Sequence, residues 1–371
     1  MLHIEKKEFL FLKKEQQARE TFIKSMARFC LLSFLGLFVV SAWGDAVGYT
    51  IVNNQTYVTL NNGLRMPQVG LGTFNGGGPG RVHEAVKHAI RFGYRHIDTA
   101  IAYGIENEIG EALTQIFAEG VVKREDLWIT SKLPNGYHAS ADVEKALDLS
   151  LESLKLDYLD LFMIHWPVTQ QKGGDEVTPS LEETWLAMEK LVKSGRVKSI
   201  GVSNYSIKKL NDILSYASIR PAVVQNESHP KFRQHMLLQY CRQNNIHFTA
   251  YAPLGSMDHP GNKIAVMQLD EVRQVASETN KSPGQVLIRY QIDRGISVIP
   301  KSTSASHIAA NFDVFDFHLS WDQLTLLNSV EPQERVFSGD FQLRKNGPYK
   351  TLHDLWDGDE NGDEQKTSSK K

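Results

Sequence analysis

Cysteine is nearly missing from this 371-residue chain, which has only Cys30 and Cys241. Two residues give no disulfide framework, so the fold has to rest on a packed core. An excess of either charge is also lacking: 41 Lys and Arg stand against 43 Asp and Glu, for a net charge of -2. Nucleic acid, which calls for a concentrated basic face, is not an expected partner. The chain has no metal-ligand spacing of the H-E-x-x-H kind, and no metal is expected. The phosphate-binding pattern G-x-G-x-x-G fails twice, in GGGPGR (76–81) at Arg81 and in GLGTFN (70–75) at Asn75. A doubly wound nucleotide-binding sheet therefore lacks its signature, and these glycines read as a turn. What remains, 41% hydrophobic and 23% charged residues, is the composition of a soluble globular protein.

Long apolar runs are lacking too, with one exception. FCLLSFLGLFVVSAW (29–43) follows a charged stretch. It is short for a membrane span, which needs roughly 20 residues, but suits the apolar core of a signal peptide. Small residues at Ser41, Ala42 and Gly44 offer a cleavage site, and Met26 with Arg28 offers an alternative start. Residues 1–50 are thus expected to be an extension that targets or anchors the chain, favouring the secretory pathway or a membrane over the cytosol. The only membrane contact expected is through that segment if it stays uncleaved. At the far end, residues 351–371 are acidic, then basic, and read as a flexible charged tail. The folded part is residues 55–350, a size that suits one large domain.

Short β-branched runs recur through that part. They are PQVGLGT (67–73), YRHID (94–98), LWITSK (127–132), LDLFMIH (159–165), VKSIGVS (197–203), AVVQN (222–226), IHFTAY (246–251) and ISVIPK (296–301). Helical patterns such as VHEAVKHAIRFG and DVEKALDLSLESLKL lie between them. Eight strands alternating with helices predict a single-domain (β/α)8 TIM barrel, in the α/β class. Seven of the runs end in polar residues: Asp98, Lys132, His165, Ser203-Asn204, Gln225-Asn226, Tyr251 and Lys301-Ser302. In a barrel those ends converge on one rim, where active sites are built. Each residue alone could be a cap. All seven together are better explained by one site.

Asp98, Tyr103, Lys132 and His165 suit proton delivery to an oxygen. A phenol is a poor acid near neutrality, and an adjacent ammonium is expected to lower its pKa. A carboxylate holds that lysine in place, while a histidine can orient a substrate oxygen. Reducing a carbonyl also needs a hydride, hence a nicotinamide cofactor. Tyr251 could stack on its ring, Ser203, Asn204 and Gln225 could bond its carboxamide, and Lys301 and Ser302 could hold a phosphate.

These stretches resemble the aldo-keto reductase family. GYRHIDTAIAYGIENEIG (93–110), LVKSGRVKSIGVSNY (191–205) and VIPKSTSASHIAANFDVF (298–315) match its three signatures in order, and KLDYLDLFMIHWP (155–167) is also similar. The resemblance implies that Asp98, Tyr103, Lys132 and His165 are catalytic, with Tyr103 as the acid in carbonyl reduction. It implies NADPH along the rim, near Gly72, Thr73, Ser203, Asn204, Gln225, Tyr251, Leu254 and Ser256. Lys301, Ser302, Thr303, His307 and Asn311 would hold the adenosine end. His307 replaces the family's arginine, and Ala310 an acidic residue, so NADH is expected to be tolerated. Phe74, His165 and Trp166 are the expected substrate contacts, favouring apolar or aromatic carbonyl compounds. Pro134 stands where an aromatic residue is frequent, and the segment Phe337 to Trp356 is expected to fold over the rim and set specificity. A monomer acting on small molecules is expected. A cofactor-holding barrel without turnover, and an NAD-linked dehydrogenase, are the alternatives.

Four Asn-x-Ser/Thr sites occur, at Asn54, Asn204, Asn226 and Asn280. Asn54 is the plausible glycan acceptor, because the next two sites fall at strand ends where cofactor would lie.

Overall fold

The computed structural model describes residues 49–52, 55–169, 177–256 and 264–359. The apolar run at 29–43, its cleavage residues, Cys30 and Asn54 lie outside the described residues. Two compact units divide the chain, Met1–Ile51 and Val52–Lys371. Of the first, only the start of a short strand, β1 (Tyr49–Val52), is described.

The second unit begins with a hairpin, β2 (Gln55–Thr59) against β3 (Arg65–Pro67), with Val58 opposite Met66. Eight parallel strands follow in sequence order. They are β4 (Leu71–Gly72), β5 (His96–Asp98), β6 (Trp128–Leu133), β7 (Leu159–Ile164), β8 (Val197–Ser203), β9 (Val223–Glu227), β10 (His247–Tyr251) and β11 (Ser297–Val298). Bridges between Val69 and Val298, and between Gly72 and Lys301, bring the first and last strands together. The order and the bridges are those of a (β/α)8 barrel. At that seam a Cβ on Gly72 would sit 2.4 Å from the Ile299 carbonyl oxygen, so only glycine fits.

Helices cover the outside: α1 (Arg81–Phe92), α2 (Glu106–Ala118), α3 (Ser140–Leu154), α4 (Leu181–Lys193), α5 (Ile207–Tyr216), α6 (His235–Gln243), α7 (Asp270–Thr279), α8 (Pro283–Asp293), α9 (Ala305–Phe312) and α10 (Trp321–Asn328). The local chemistry explains their ends. Gly93 closes α1 in the left-handed region at φ 113, and Ser282 opens α8 in a reciprocal cap with Gln285, with Pro283 at the first turn.

Register sorts the strand residues into two faces. Ile97, Ile129, Phe162, Ile200 and Val224 face outward and form one core with Val86, Leu113, Leu147 and Trp185 from the helices. Burying both faces makes these strands read as continuous apolar runs rather than alternating ones. The inner face is layered. Near its floor Trp128, Leu161, Met163 and Val223 pack under Val58 and Met66 of the hairpin. His96 and His247 are also inside, bonded to Thr130 (3.0 Å) and Ser297 (2.7 Å). Burial holds both imidazoles neutral, pushing them down to about 4 and about 3.

The boundary drawn at residue 350 needs correction. The described chain continues through α11 (Leu352–Trp356) to Asp359, with Leu355 and Trp356 buried. Trp356 packs on Trp166, its indole N–H donates to the Ser338 carbonyl at 2.7 Å, and the Arg335 guanidinium lies 3.5 Å from its ring centroid. Lys209 then clasps the helix end, donating to Asp357 (2.5 Å) and to the Leu355 carbonyl (2.8 Å). A charged composition hid the apolar pair that docks this turn. Residues 360–371 of the expected tail lie outside the described residues.

Candidate active site

At the C-terminal ends of the strands lies a cleft of about 1700 Å³. Asp98 and Lys132 stand at its base because β5 and β6 are adjacent and in register, and both residues point inward. The Lys132 ammonium donates to Asp98 Oδ1 at 2.6 Å, to the Thr99 carbonyl at 2.9 Å and to the Tyr103 hydroxyl at 3.4 Å. Gln225 Nε2 occupies the other Asp98 oxygen at 2.7 Å. Tyr103 arrives on the short 3-10 turn Ile101–Tyr103 after β5, and His165 follows β7, their rings 5.5 Å apart and nearly perpendicular. Asp98, Tyr103 and His165 line the cleft, whereas Lys132 is wholly buried behind them.

The electrostatics follow from burial and charge. Burial alone would lower the pKa of Lys132, but the Asp98 carboxylate and the Tyr103 oxygen outweigh it and raise it. Burial also raises the Tyr103 phenol, with Lys132 opposing and Asp98 assisting. The lowering expected from the sequence is therefore reversed: an ammonium at 3.4 Å does not offset removal from water. Burial, then Lys132, hold the His165 imidazole well below its ordinary value, so it is neutral.

A second network fixes the cleft wall. Asn204, in the left-handed region at φ 64, donates to the His165 carbonyl (2.9 Å) and accepts from the Tyr251 hydroxyl (2.7 Å). Asn226 accepts from the amides of Asn204 (2.8 Å) and Tyr205 (3.2 Å). Ser203 donates to the Gln225 carbonyl, and Thr73 to that of Asp98. Asn204 and Gln225 thus act first as braces within the protein. Both Asn204 and Asn226 are buried and closed to a glycan.

The other expected residues share the cleft. Gly72, Thr73, Leu254, Ser256, Lys301, Ser302, Thr303, His307 and Asn311 all line it, together with Ala310. Phe74, Trp166 and Pro134 line it with Asn135, which sequence reasoning missed, and with Phe337, Phe341, Gln342 and Arg344 of the segment expected to cover the rim. Phe74 packs on Tyr103 at 5.0 Å and on Phe337 at 6.1 Å, and Asn135 donates to Gln342 at 2.9 Å. Asn135 comes from the loop after β6, where no periodic pattern marks it. Among the described residues no cluster of His, Cys, Asp or Glu could hold a metal, and no helix is long and apolar enough to cross a membrane. Cys241 is a buried free thiol.

Comparison with known proteins adds an independent line. Residues 68–332 match the model of the Aldo/keto reductase family. The chain belongs to that family. It is 45% identical over 294 residues to aldo-keto reductase family 1 member A1-A of Danio rerio, covering 75% of this chain and 90% of the relative. It is 41% identical over 309 residues to aldo-keto reductase family 4 member C11 of Arabidopsis thaliana, covering 82% and 98%. Among solved structures, a Bombyx mori aldo-keto reductase in complex with NADP aligns with a TM-score of 0.72 at 37% identity, over 76% of this chain and 94% of that one. The aldose reductase from Schistosoma japonicum aligns with a TM-score of 0.70 at 38% identity, over 83% and 98%. This aldo-keto reductase is accordingly an NAD(P)H-dependent oxidoreductase.

Proposed function

We propose that the protein reduces aldehydes and ketones to alcohols with NADPH, and that Tyr103 supplies the proton. The observation that carries this reading is the buried Lys132 ammonium held 2.6 Å from Asp98 and 3.4 Å from the Tyr103 hydroxyl. The donor set suits the cofactor: a cleft of about 1700 Å³ is lined by the Tyr251 ring and by Lys301, Ser302 and Thr303, which lead into the first turn of α9. Backbone N–H groups at a helix start and a lysine are suited to a phosphate. Once bound, a reduced nicotinamide would supply the hydride that carbonyl reduction requires.

The protein's own groups deal with the oxygen. Neutral His165 can donate a hydrogen bond to the carbonyl oxygen and hold it toward Tyr103. As negative charge develops there, the Tyr103 O–H bond breaks and its proton passes to the oxygen, completing the alcohol. The phenolate left behind faces Lys132, whose charge Asp98 maintains. Gln225 keeps Asp98 from turning toward the substrate by occupying its second oxygen. Phe74, Trp166, Phe337 and Phe341 give the substrate side an aromatic wall, suited to apolar and aromatic carbonyl compounds. Every group involved comes from one chain, so the reading needs no second subunit.

His307 favours one refinement, that NADH is accepted alongside NADPH. An imidazole lacks the permanent charge and forked donors with which arginine grips a phosphate. The test of the main reading follows NADPH absorbance with a panel of aldehydes, comparing the intact chain with Tyr103→Phe. Turnover that vanishes in the variant supports it. NADPH binding by both proteins without turnover would assign instead a cofactor-holding barrel.

A further inference from the structure

Glu227 ends β9 and is completely buried, yet it makes no bond to Asp98, Lys132 or Tyr103. Its partners lie elsewhere. Oε1 accepts from His229 Nε2 at 2.8 Å and from the Val336 amide at 2.7 Å, and Oε2 accepts from the Phe337 amide at 2.8 Å. Burial works against ionisation here, but His229, Arg335 and the Val336 amide outweigh it and hold the carboxyl below its ordinary value. An ionised carboxylate with donors on both oxygens is a strong anchor, since charge-assisted bonds are about twice as strong as neutral ones.

What it anchors is irregular chain. Val336 and Phe337 lie between α10 and α11, outside any helix or strand. The Phe337 ring meets Tyr251 at 5.6 Å on one side and Phe74 at 6.1 Å on the other, and Phe74 in turn packs on Tyr103. Register explains why the anchor stands there. Glu227 is paired with Tyr251 across β9 and β10, so one strand end presents both the carboxylate and the neighbour of the ring it holds.

We infer that Glu227 is a positioning residue for the substrate: it moors the Val336–Phe337 backbone so that Phe337 closes the aromatic wall between Tyr251 and Phe74. This inference rests on the reductase reading of the same cleft. Glutamine cannot replace the carboxylate, because an amide has one acceptor and would turn its own N–H groups toward a backbone N–H. Aspartate is one methylene too short to keep both bonds.

The test uses the intact chain with benzaldehyde as a bulky substrate and propanal as a small one. Glu227→Gln is expected to raise KM for benzaldehyde roughly 3- to 10-fold, the range expected when one aromatic contact is lost. Its kcat and its NADPH affinity, the latter read by tryptophan fluorescence, are expected to shift less than about twofold. Phe337→Ala is expected to raise KM for benzaldehyde similarly, and the double variant to be no worse than Phe337→Ala alone, since residues acting through one another are non-additive. Additive losses, or an equal fall in kcat for both aldehydes, overturn the assignment. Amide exchange on the unaltered protein decides the mooring even if a variant fails to fold. Val336 and Phe337 amides protected like those of β9 support it, and exchange at the rate of open loops refutes it. If the unaltered protein turns over neither aldehyde, the reductase reading and the substrate role fall together, while the exchange result still reports whether the mooring exists.

Discussion

At the scale of single residues, Tyr103 carries the sharpest expectations. Replacing it by phenylalanine removes one hydroxyl from the aromatic wall and should cost roughly 10²- to 10⁴-fold in carbonyl reduction, the usual worth of a positioned acid. NADPH binding, followed by fluorescence, should persist. Because burial raises the phenol, the proton-donating form persists above its ordinary range near pH 10. The reductive kcat should therefore stay flat from about pH 6 to 9, and a fall through neutrality would point to a different acid. Lys132→Met tests the base of the site. It would leave the buried Asp98 with one oxygen unpaired and should destabilise the protein by about 3–5 kcal/mol, seen as a lowered Tm together with lost activity. His307→Arg should improve NADPH over NADH about tenfold in a binding titration, since a permanently charged guanidinium with forked donors replaces an imidazole. No change would remove His307 from the phosphate site.

At the scale of elements, the residues that act together are brought together by strand register. Parallel pairing puts Asp98 beside Thr130, and so Lys132 one inward step above, without any loop having to aim them. The cleft's other wall is built differently. The chain after α10, with α11 included, depends on anchors from distant elements: Glu227 on β9, Lys209 on α5 and Trp166 after β7. Trp356→Ala removes the ring between Trp166 and Arg335 and should cost about 3–5 kcal/mol at the docking of α11. Much of that loss should appear as local opening, so Lys209 and the cleft wall should gain exchange and proteolysis sensitivity before the barrel does.

At the scale of the whole molecule, buried titrating groups set the response to acid. His96 and His138 are pushed by burial down to about 4, and His247 to about 3, and all three are neutral in the folded barrel. Once the pH falls below about 6.5 the unfolded chain takes up protons that the folded one refuses, so stability is lost between there and about 4. Each histidine contributes on the order of 3 kcal/mol, and together they approach the 5–15 kcal/mol that holds an ordinary domain. Glu106 works in the opposite sense. Burial raises it to about 7, partly offset by Ser131, Ser150 and Lys132, so the folded state keeps a proton that the unfolded state loses above about 4.5. One acid against three histidines leaves a net loss on acidification. Tm measured from pH 7 to 4 should fall steeply, and a flat profile would show that these imidazoles reach water.

The sequence by itself determined the strands, their order and the chemistry at their ends. A strand buried on both faces must read as an apolar run, and the polar residue that breaks the run marks its exit at the rim; Asp98, Lys132, His165, Ser203 and Gln225 are legible for that reason. It also placed Tyr103, five positions beyond Asp98. Tertiary structure decided the rest. Glu227 looks like the start of a loop in VVQNESHP, but the strand runs one residue further and buries it against backbone about 110 residues away. The composition after residue 350 speaks for solvent, yet Leu355 and Trp356 fill a hollow made by Trp166 and Arg335. The upward shift of Tyr103 belongs to the same class, since burial and charge compete there and only the folded distances say which prevails. Periodicity reports the face a residue presents within its own element. What meets that face from elsewhere in the chain is set by packing.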